Sequence, residues 1–482
     1  MSIDTQWADV VKLIPEIVLI LLIPLVMLLD LRWKESRRRE LGLVAAIGQF
    51  AALACMFIFA MPTGEQLFGG TIRDDMASFI FRAIFIFSGA VTSLLSLDVE
   101  GLGRKGEYYA VLIGAVIGLN FMASASDLIM LYLAIETASI GLYVLAGFLR
   151  DDDKSTESGM KYFLFGAMTS TIMLYGFSLL YGFTGHTNLY AIGESLKAGD
   201  VPTFAAIAIA VMVLVGVGFK VAIVPFHFWT PDVYEGAPTP VTAFLSVASK
   251  LAGFAVLIRL FLITFGDQAS TPWYPMLAAM AAVTMTVGNF LALPQRNIKR
   301  LLAYSSIAHA GYAMLGIVAL SKDGLAATMF YLVAYVFTNL AAFGVVILFA
   351  RAAGSDEIAD YAGLSRRSPY LALAMLIAFL SLGGMPPLAG FIGKFFVFAA
   401  AVQSNNTWLA IIGIINSIIG LYYYLIVLKV VYVKPAPEGA KAIEVPRPYV
   451  FALGLLCFAV LATGTVATPW YNWAVVAAKS LF

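Results

Sequence analysis

The chain is 482 residues long, 61% hydrophobic and 12% charged, with a formal net charge of +1 and a mean hydropathy of +0.89. A soluble domain carries about 25% charged residues, so this composition excludes one, and the near-zero net charge offers no basic surface to a nucleic acid. The two cysteines, Cys55 and Cys457, both lie in apolar runs and are too few for an iron–sulfur cluster or a zinc site, which take about four ligands.

A crossing of the bilayer takes about 20 predominantly apolar residues. The sequence supplies fourteen candidate spans: 10–30, 42–61, 77–97, 107–124, 127–148, 161–183, 203–225, 240–264, 273–293, 300–320, 326–350, 370–402, 407–433 and 449–468. The first reads as an uncleaved membrane helix. Its basic cluster, Arg32, Lys34, Arg37, Arg38 and Arg39, follows the apolar core, whereas a secretory signal carries its positive charge in front. The run from Arg150 to Lys154 reads as a solvated loop, and no loop is long enough for a soluble domain. The twelfth span is too long for one plain crossing and holds Pro386 and Pro387 near its centre. The tail after Trp470 is too short to cross and is expected at the interface. Nineteen Lys and Arg residues lie in loops after odd-numbered spans and six on the opposite side. Positive charge favours the cytoplasmic side, which predicts that both termini face outward.

A shift of 169 residues lays "LAIETASIGLYVLAG" (133–147) over "LAYSSIAHAGYAMLG" (302–316), aligning Tyr143 with Tyr312 and Gly147 with Gly316. The same offset continues to Met160/Met329, Tyr162/Tyr331 and Thr169/Thr338. It spans five helices, an odd number, so the two copies enter the membrane from opposite sides. That is an inverted repeat, an architecture in which broken helices form ion sites near the midplane. The predicted fold is all-α and polytopic, with a three-span segment (1–106), repeats at 107–264 and 273–433, and a C-terminal span with its tail (434–482). The seventh span, which ends at Pro225, and the twelfth are its two broken helices.

Four ionisable residues stand out within the spans: Glu136, Lys220, Lys250 and Lys394. On an insertion scale four unpaired charges cost about 10–14 kcal/mol, comparable to the whole stability of an ordinary domain. A design that merely fixed helix register would balance its charges, whereas here three lysines face one acid. An ammonium group taken out of water gives up its proton more readily, and a nearby carboxylate reverses that, so these lysines are suited to load and release protons. Glu136 is expected to pair with Lys220. Arg259 and Lys429 lie near span ends and are expected to snorkel to the interface. His309 is open between a packing histidine and a member of a proton wire. His227, beside Pro225, points to the wire, because opened backbone invites water.

These same residues carry a resemblance. "LIPEIVLILL", "SGMKYFLFGAMTSTIMLYGFSLLYGFTG", "FKVAIVPFHFWTPDVYEGAPTPVTAFLSVASK", "KRLLAYSSIAHAGY" and "GMPPLAGFIGKF" resemble the subunit N family of proton-pumping NADH–quinone oxidoreductase, respiratory complex I, whose mitochondrial counterpart is NADH dehydrogenase subunit 2. The resemblance implies an antiporter-like fold of fourteen helices with two inverted five-helix units. It assigns Glu136 as the acid of the fifth span, Lys220 as its partner, Lys250 as a central relay and Lys394 as the terminal lysine. Lys394 separates the chain from sister subunit M, where the resemblance implies a glutamate, and no long lateral helix of the subunit L kind is expected. NADH, FMN, iron–sulfur clusters and quinone are then expected in other subunits, with none bound by this chain. The implied partners are the other membrane subunits and the lipid of a bacterial inner membrane. Two other classes remain: a subunit of a multi-subunit sodium/proton antiporter of the same fold, and, less favoured by a midplane rich in lysine, a secondary transporter of a small solute.

Overall fold

Backbone polar groups within lipid must be satisfied by the chain's own helices, and the computed structural model, which describes residues 3–266 and 273–481, follows that rule. Among the described residues, thirteen helices are long and apolar enough to cross a membrane. Each coincides with one of the spans read from the sequence. The remaining span is two shorter apolar helices, Pro369–Gly383 and Ala389–Gln403, separated where Pro386 and Pro387 interrupt the hydrogen-bond ladder.

Several boundaries differ from expectation for physical reasons. The sixth span is the 32-residue helix Asp153–Thr184 rather than 161–183, and the eleventh is Lys322–Ala353 rather than 326–350. Hydropathy marks where lipid ends, but Glu157 and Lys161 continue a helix as an i,i+4 ion pair of 2.6 Å in water. Asp153 and Lys154 therefore begin a helix while remaining exposed. The seventh span stops at Val221, four residues before Pro225, because Ala222 turns left-handed at φ 63. The eighth, Thr239–Thr264, contains π-helical stretches at Leu245–Ser249 and Arg259–Thr264. A short hairpin, Glu65–Leu67 with Ile72–Asp74, and the helix Leu189–Ala198 occupy loops that hydropathy leaves blank.

Helix ends recur at the spacing seen in the sequence. Asp153–Thr184 and Lys322–Ala353 are both 32 residues long and begin 169 residues apart, at 153 and 322. Asp152 and Ser321 cap their N-termini, and left-handed Gly185 and Gly354 end them. Thr239–Thr264 and Thr407–Tyr432 are both 26 residues long.

The chain divides into two units. One comprises Met1–Val221, Ala248–Tyr274 and Val476–Phe482. Inside it, Arg82 makes a buried two-pronged pair with Glu16, at 3.0 and 2.6 Å, and Asn120 donates to the same carboxylate at 2.9 Å. Arg259 overturns the snorkelling expectation. Its guanidinium is 3% exposed and donates to both oxygens of Asp75 at 2.9 Å, to Ser78 Oγ at 2.6 Å and to the Ala123 carbonyl at 2.8 Å. A planar fork with five donors is better satisfied by this buried carboxylate than by the interface. Lys429 is exposed in the last turn of Thr407–Tyr432.

The other unit comprises Ala222–Val247 and Pro275–Val475. In it the short helix Trp229–Gly236, just past the seventh span's break, is fastened to the start of the tenth span. Arg300 pairs with Asp232 at 2.8 Å and Glu235 at 3.1 Å, and Lys299 donates to the Ala237 carbonyl at 2.9 Å. The tail forms the helix Ala467–Lys479, whose Tyr471 packs against Phe330 and Phe396.

Candidate functional sites

In the first unit, helix Leu128–Ala146 presents Glu136 and, one turn on, Ser139; residues three apart share a helix face. Lys220, 6% exposed at the end of Thr203–Val221, donates to Ser139 Oγ at 2.6 Å. The Ser139 hydroxyl donates its own hydrogen bond to the Ile135 carbonyl at 2.5 Å, so its lone pair is free to accept from the ammonium. Glu136 accepts from the Ser170 hydroxyl, and Ser170 also lies 3.5 Å from the Tyr132 hydroxyl. Lys220 therefore donates to a hydroxyl one helical turn from Glu136, the carboxylate is held by a different serine, and no direct Glu136–Lys220 ion pair is found among the described residues. The ring of Tyr143 lies 6.0 Å from Lys220 Nζ, within the range of a cation–π attraction.

Lys250 is 3% exposed and follows the π-helical turn Leu245–Ser249. Its helix approaches the seventh span closely, because a Cβ at Gly253 would stand 3.0 Å from Lys220 Cβ and 2.9 Å from Val221 Cγ2. Gly253 lies one turn beyond Lys250 on the same face, so the absence of its side chain lets the two lysine-bearing helices touch.

In the second unit the half-helix Pro369–Gly383 ends at Gly384, left-handed at φ 84. The last carbonyls of a helix have no partner within it and carry partial negative charge. Lys394, 4% exposed on Ala389–Gln403, fills that need. Its Nζ donates to the carbonyls of Leu382 at 2.9 Å and Gly383 at 3.4 Å, and to Ser417 Oγ at 2.9 Å. It stands 4.9 Å from the ring centre of Tyr312. Tyr312 is the residue that the 169-residue shift aligns with Tyr143, so each buried lysine at a broken helix has the equivalent tyrosine beside it.

His309 belongs to a hydroxyl cluster in the same unit. Its Nδ1 and the Tyr331 hydroxyl are 2.5 Å apart, its Nε2 is 3.3 Å from the Tyr424 hydroxyl, and Tyr424 also bonds Ser305. Both ring nitrogens thus face groups able to give or take a proton. His227 is 5% exposed within the first break, its ring 4.5 Å from that of Phe228 and its Nδ1 buried without a hydrogen-bond partner among the described residues. Part of the opened backbone there is met by protein, since Val224 N–H donates to Thr284 Oγ1 at 3.0 Å.

The sequence reading missed Ser139, Ser170 and Ser417. The spacing from Glu136 could have pointed to Ser139; nothing in the sequence marks the carbonyls of Leu382 and Gly383 as a cation's ligands.

Fold and sites together define an antiporter-like, multi-pass membrane subunit, and comparison with known proteins narrows the class. Residues 125–420 match the family described as NADH:quinone oxidoreductase/Mrp antiporter, TM. NADH-quinone oxidoreductase subunit N of Moorella thermoacetica is 45% identical over 93% of this chain and 94% of its own. That of Chlorobium chlorochromatii is 41% identical over 98% and 95%. Among solved structures, a chain of respiratory complex I from Thermus thermophilus is similar at TM-score 0.79 and 32% identity, over 95% of this chain and 98% of that one. A chain of the Mrp complex from Dietzia shares the fold, with TM-score 0.83 at 20% identity over 98% and 97%. The chain belongs to the subunit N family of NADH-quinone oxidoreductases.

Proposed function

We propose that this chain translocates protons across a bacterial inner membrane as a subunit of an NADH–quinone oxidoreductase, driven by electron transfer in other subunits. The observation that carries the reading is the recurrence of one device. A buried lysine sits at a broken helix beside an equivalent tyrosine, Lys220 at 6.0 Å from Tyr143 and Lys394 at 4.9 Å from Tyr312. Lys394, held by carbonyls and a neutral hydroxyl, can lose a proton without leaving a second buried charge stranded, and at Lys220 the nearby carboxylate tunes the same step.

Glu136 supplies the movable counter-charge. A carboxylate brought toward Lys220 favours its protonated form, and withdrawal favours release. Lys250 is the next acceptor along the touching helices, and Lys394 with His309 serves the second unit. His227 and the hydroxyls around His309 are read as entry and exit wires. Repeats at 107–264 and 273–433 in opposite orientation, with both termini outward, give one half-channel toward each face.

The residues present do not fit the iron–sulfur clusters of such a complex. Two cysteines, one in the second span and one in the fourteenth, fall short of the roughly four thiolates that an iron–sulfur cluster takes. The clusters are therefore assigned to other subunits; membership of the subunit N family supports placing NADH, FMN and quinone there too, with neighbouring membrane subunits of the same assembly as partners.

Inverted vesicles holding the assembled complex test the reading. NADH should drive acidification of the vesicle interior, and Lys220→Ala should strongly reduce protons moved per electron while assembly is retained. Unchanged pumping in that variant would refute the assignment. The alternative, a subunit of a sodium/proton antiporter, rests on the shared fold with the Mrp chain. It would be favoured by sodium-dependent proton exchange without NADH.

A further inference from the structure

Between the ninth and thirteenth spans lies a buried amide cluster that no step above uses. Asn289 is 0% exposed, and its Nδ2 donates to the Tyr312 hydroxyl at 2.9 Å and to the Met285 carbonyl at 2.8 Å. Its Oδ1 accepts from the Tyr423 hydroxyl at 3.1 Å. Asn416 lies on its other side, with Oδ1 3.3 Å from Asn289 Nδ2. A buried amide is costly unless its donors and acceptor are engaged, and those of Asn289 all are.

We infer that Asn289 is a positioning residue for Lys394, acting through Tyr312; this rests on the proton-carrying role proposed for that lysine. Attraction of an ammonium to an aromatic ring requires the cation over the ring face. The tyrosine hydroxyl lies on the axis about which the ring turns, so pinning it fixes where that axis points, while the edge-to-face rings of His309 at 5.6 Å and Phe398 at 6.2 Å limit the turn about it. Asn289 pins it, and the ring then stands 4.9 Å from Lys394 Nζ. An amide suits the task because it donates a hydrogen bond without titrating, so the bracket cannot capture the proton it helps to place.

The first unit argues that this is not generic packing. Asn120, 169 residues earlier and likewise followed by phenylalanine, donates to Glu16 in the Arg82 ion pair. The same position in the repeat steadies a salt bridge there, and Lys220 is held by Ser139 instead. The amide's task follows its local partner.

The test measures protons moved per electron in inverted vesicles holding the assembled complex. Tyr312→Phe keeps the ring and loses the bond to Asn289; Asn289→Leu loses the same bond from the other side. Each should lower pumping about threefold to tenfold, the range one neutral hydrogen bond supports, and the double variant should be no worse than either. Tyr312→Leu, which removes the ring face, should fall to the level of Lys394→Met. Asn416→Leu cuts the stitch between the two spans but leaves Tyr312 pinned, so it should pump like the parent. If Asn416→Leu and Asn289→Leu are equally impaired, the cluster is structural and the inference fails. If Asn289→Leu does not assemble, Tyr312→Phe alone decides, and normal pumping in it overturns the inference. Normal pumping in Lys394→Met would instead refute the underlying function.

Discussion

Lys220 and Lys394 solve one problem with different means. Lys220 donates to Ser139 at 2.6 Å, one helical turn from the carboxylate of Glu136. Among the described residues Lys394 makes no ion pair with a carboxylate. It is held by two carbonyls at the end of a half-helix, at 2.9 and 3.4 Å, and by Ser417. A helix C-terminus acts as about half a negative charge fixed in place, whereas a carboxylate is a whole charge on a movable side chain. The first site can be switched by moving its counter-charge, and the second depends on the exact shape of its break. The comparison also accounts for three lysines facing one acid, since backbone ends can stand in for carboxylates.

The largest expected effects test whether the second site is a proton carrier at all. Lys394→Met, unable to hold a proton, should lower NADH-driven pumping about a hundredfold at that step, the scale of a lost proton-transfer group. Arginine should be nearly as poor, because it keeps its charge but hardly ever releases its proton. Glutamate stays titratable, so its pumping should exceed that of methionine. Its ionised form would oppose the carbonyls of Leu382 and Gly383, which holds it below lysine. Arginine pumping like the parent would show that the site needs a charge and not a carrier.

Next in size is the coupling inside the first site. Ser139→Ala removes a hydrogen bond to a charged group, worth about 1.5–3 kcal/mol, and Glu136→Gln removes the counter-charge. Measured as a double-mutant cycle on pumping rate, the pair Glu136→Gln with Lys220→Ala should be non-additive. Ser139→Ala should shrink the coupling. Strict additivity would mean that Glu136 and Lys220 do not share a site.

A smaller effect probes the break itself. Gly384→Ala forces a side chain into a left-handed conformation, costing about 1–2 kcal/mol, and sets a methyl 3.1 Å from Lys394 Cδ. Gly354→Ala imposes the same backbone penalty at φ 66 with nothing within 4 Å. Pumping should fall severalfold in the first and stay near the parent value in the second, although both lose thermal stability. Equal pumping in the two would show that the break's geometry does not govern the lysine.

How far the sequence carried these features depends on what kind of residue made them. Long apolar runs located the spans, and Pro225, Pro386 and Pro387 located the breaks, because bilayer thickness and the proline ring act on contiguous residues. The hydroxyl ligands were hidden. Serine is common in helices and usually bonds the carbonyl four residues back, as Ser139 also does, so its second role has no signature. Carbonyl ligands have no sequence signature of any kind. Arg259 was misplaced because its partner, Asp75, lies 184 residues away. Helix ends in water, such as Asp153, were missed because hydropathy does not register a helix that continues past the lipid.

The smallest expected effect concerns the first break, where the left-handed residue is Ala222 at φ 63 and its counterpart in the second is Gly384. Ala222→Gly should relieve the strain at the cost of added freedom in the unfolded chain, a net gain of about 1 kcal/mol or less. A slightly raised thermal midpoint with unchanged pumping is expected. A marked loss of pumping would show that the stiffness of alanine there is itself required.

The pair of Arg259 with Asp75 also sets an order of events during synthesis. The 184 residues between them take roughly 10–40 s to make at typical elongation rates. Through that interval Asp75 is steadied by its own helix, where it accepts from Ser78 N–H at 2.7 Å. The guanidinium arrives with the eighth span and closes onto a carboxylate already oriented for it. The third span must therefore hold its place through the insertion of the next four, and a chain halted before residue 259 would leave its buried acid with Arg73, at 4.0 Å, in place of the two-pronged guanidinium.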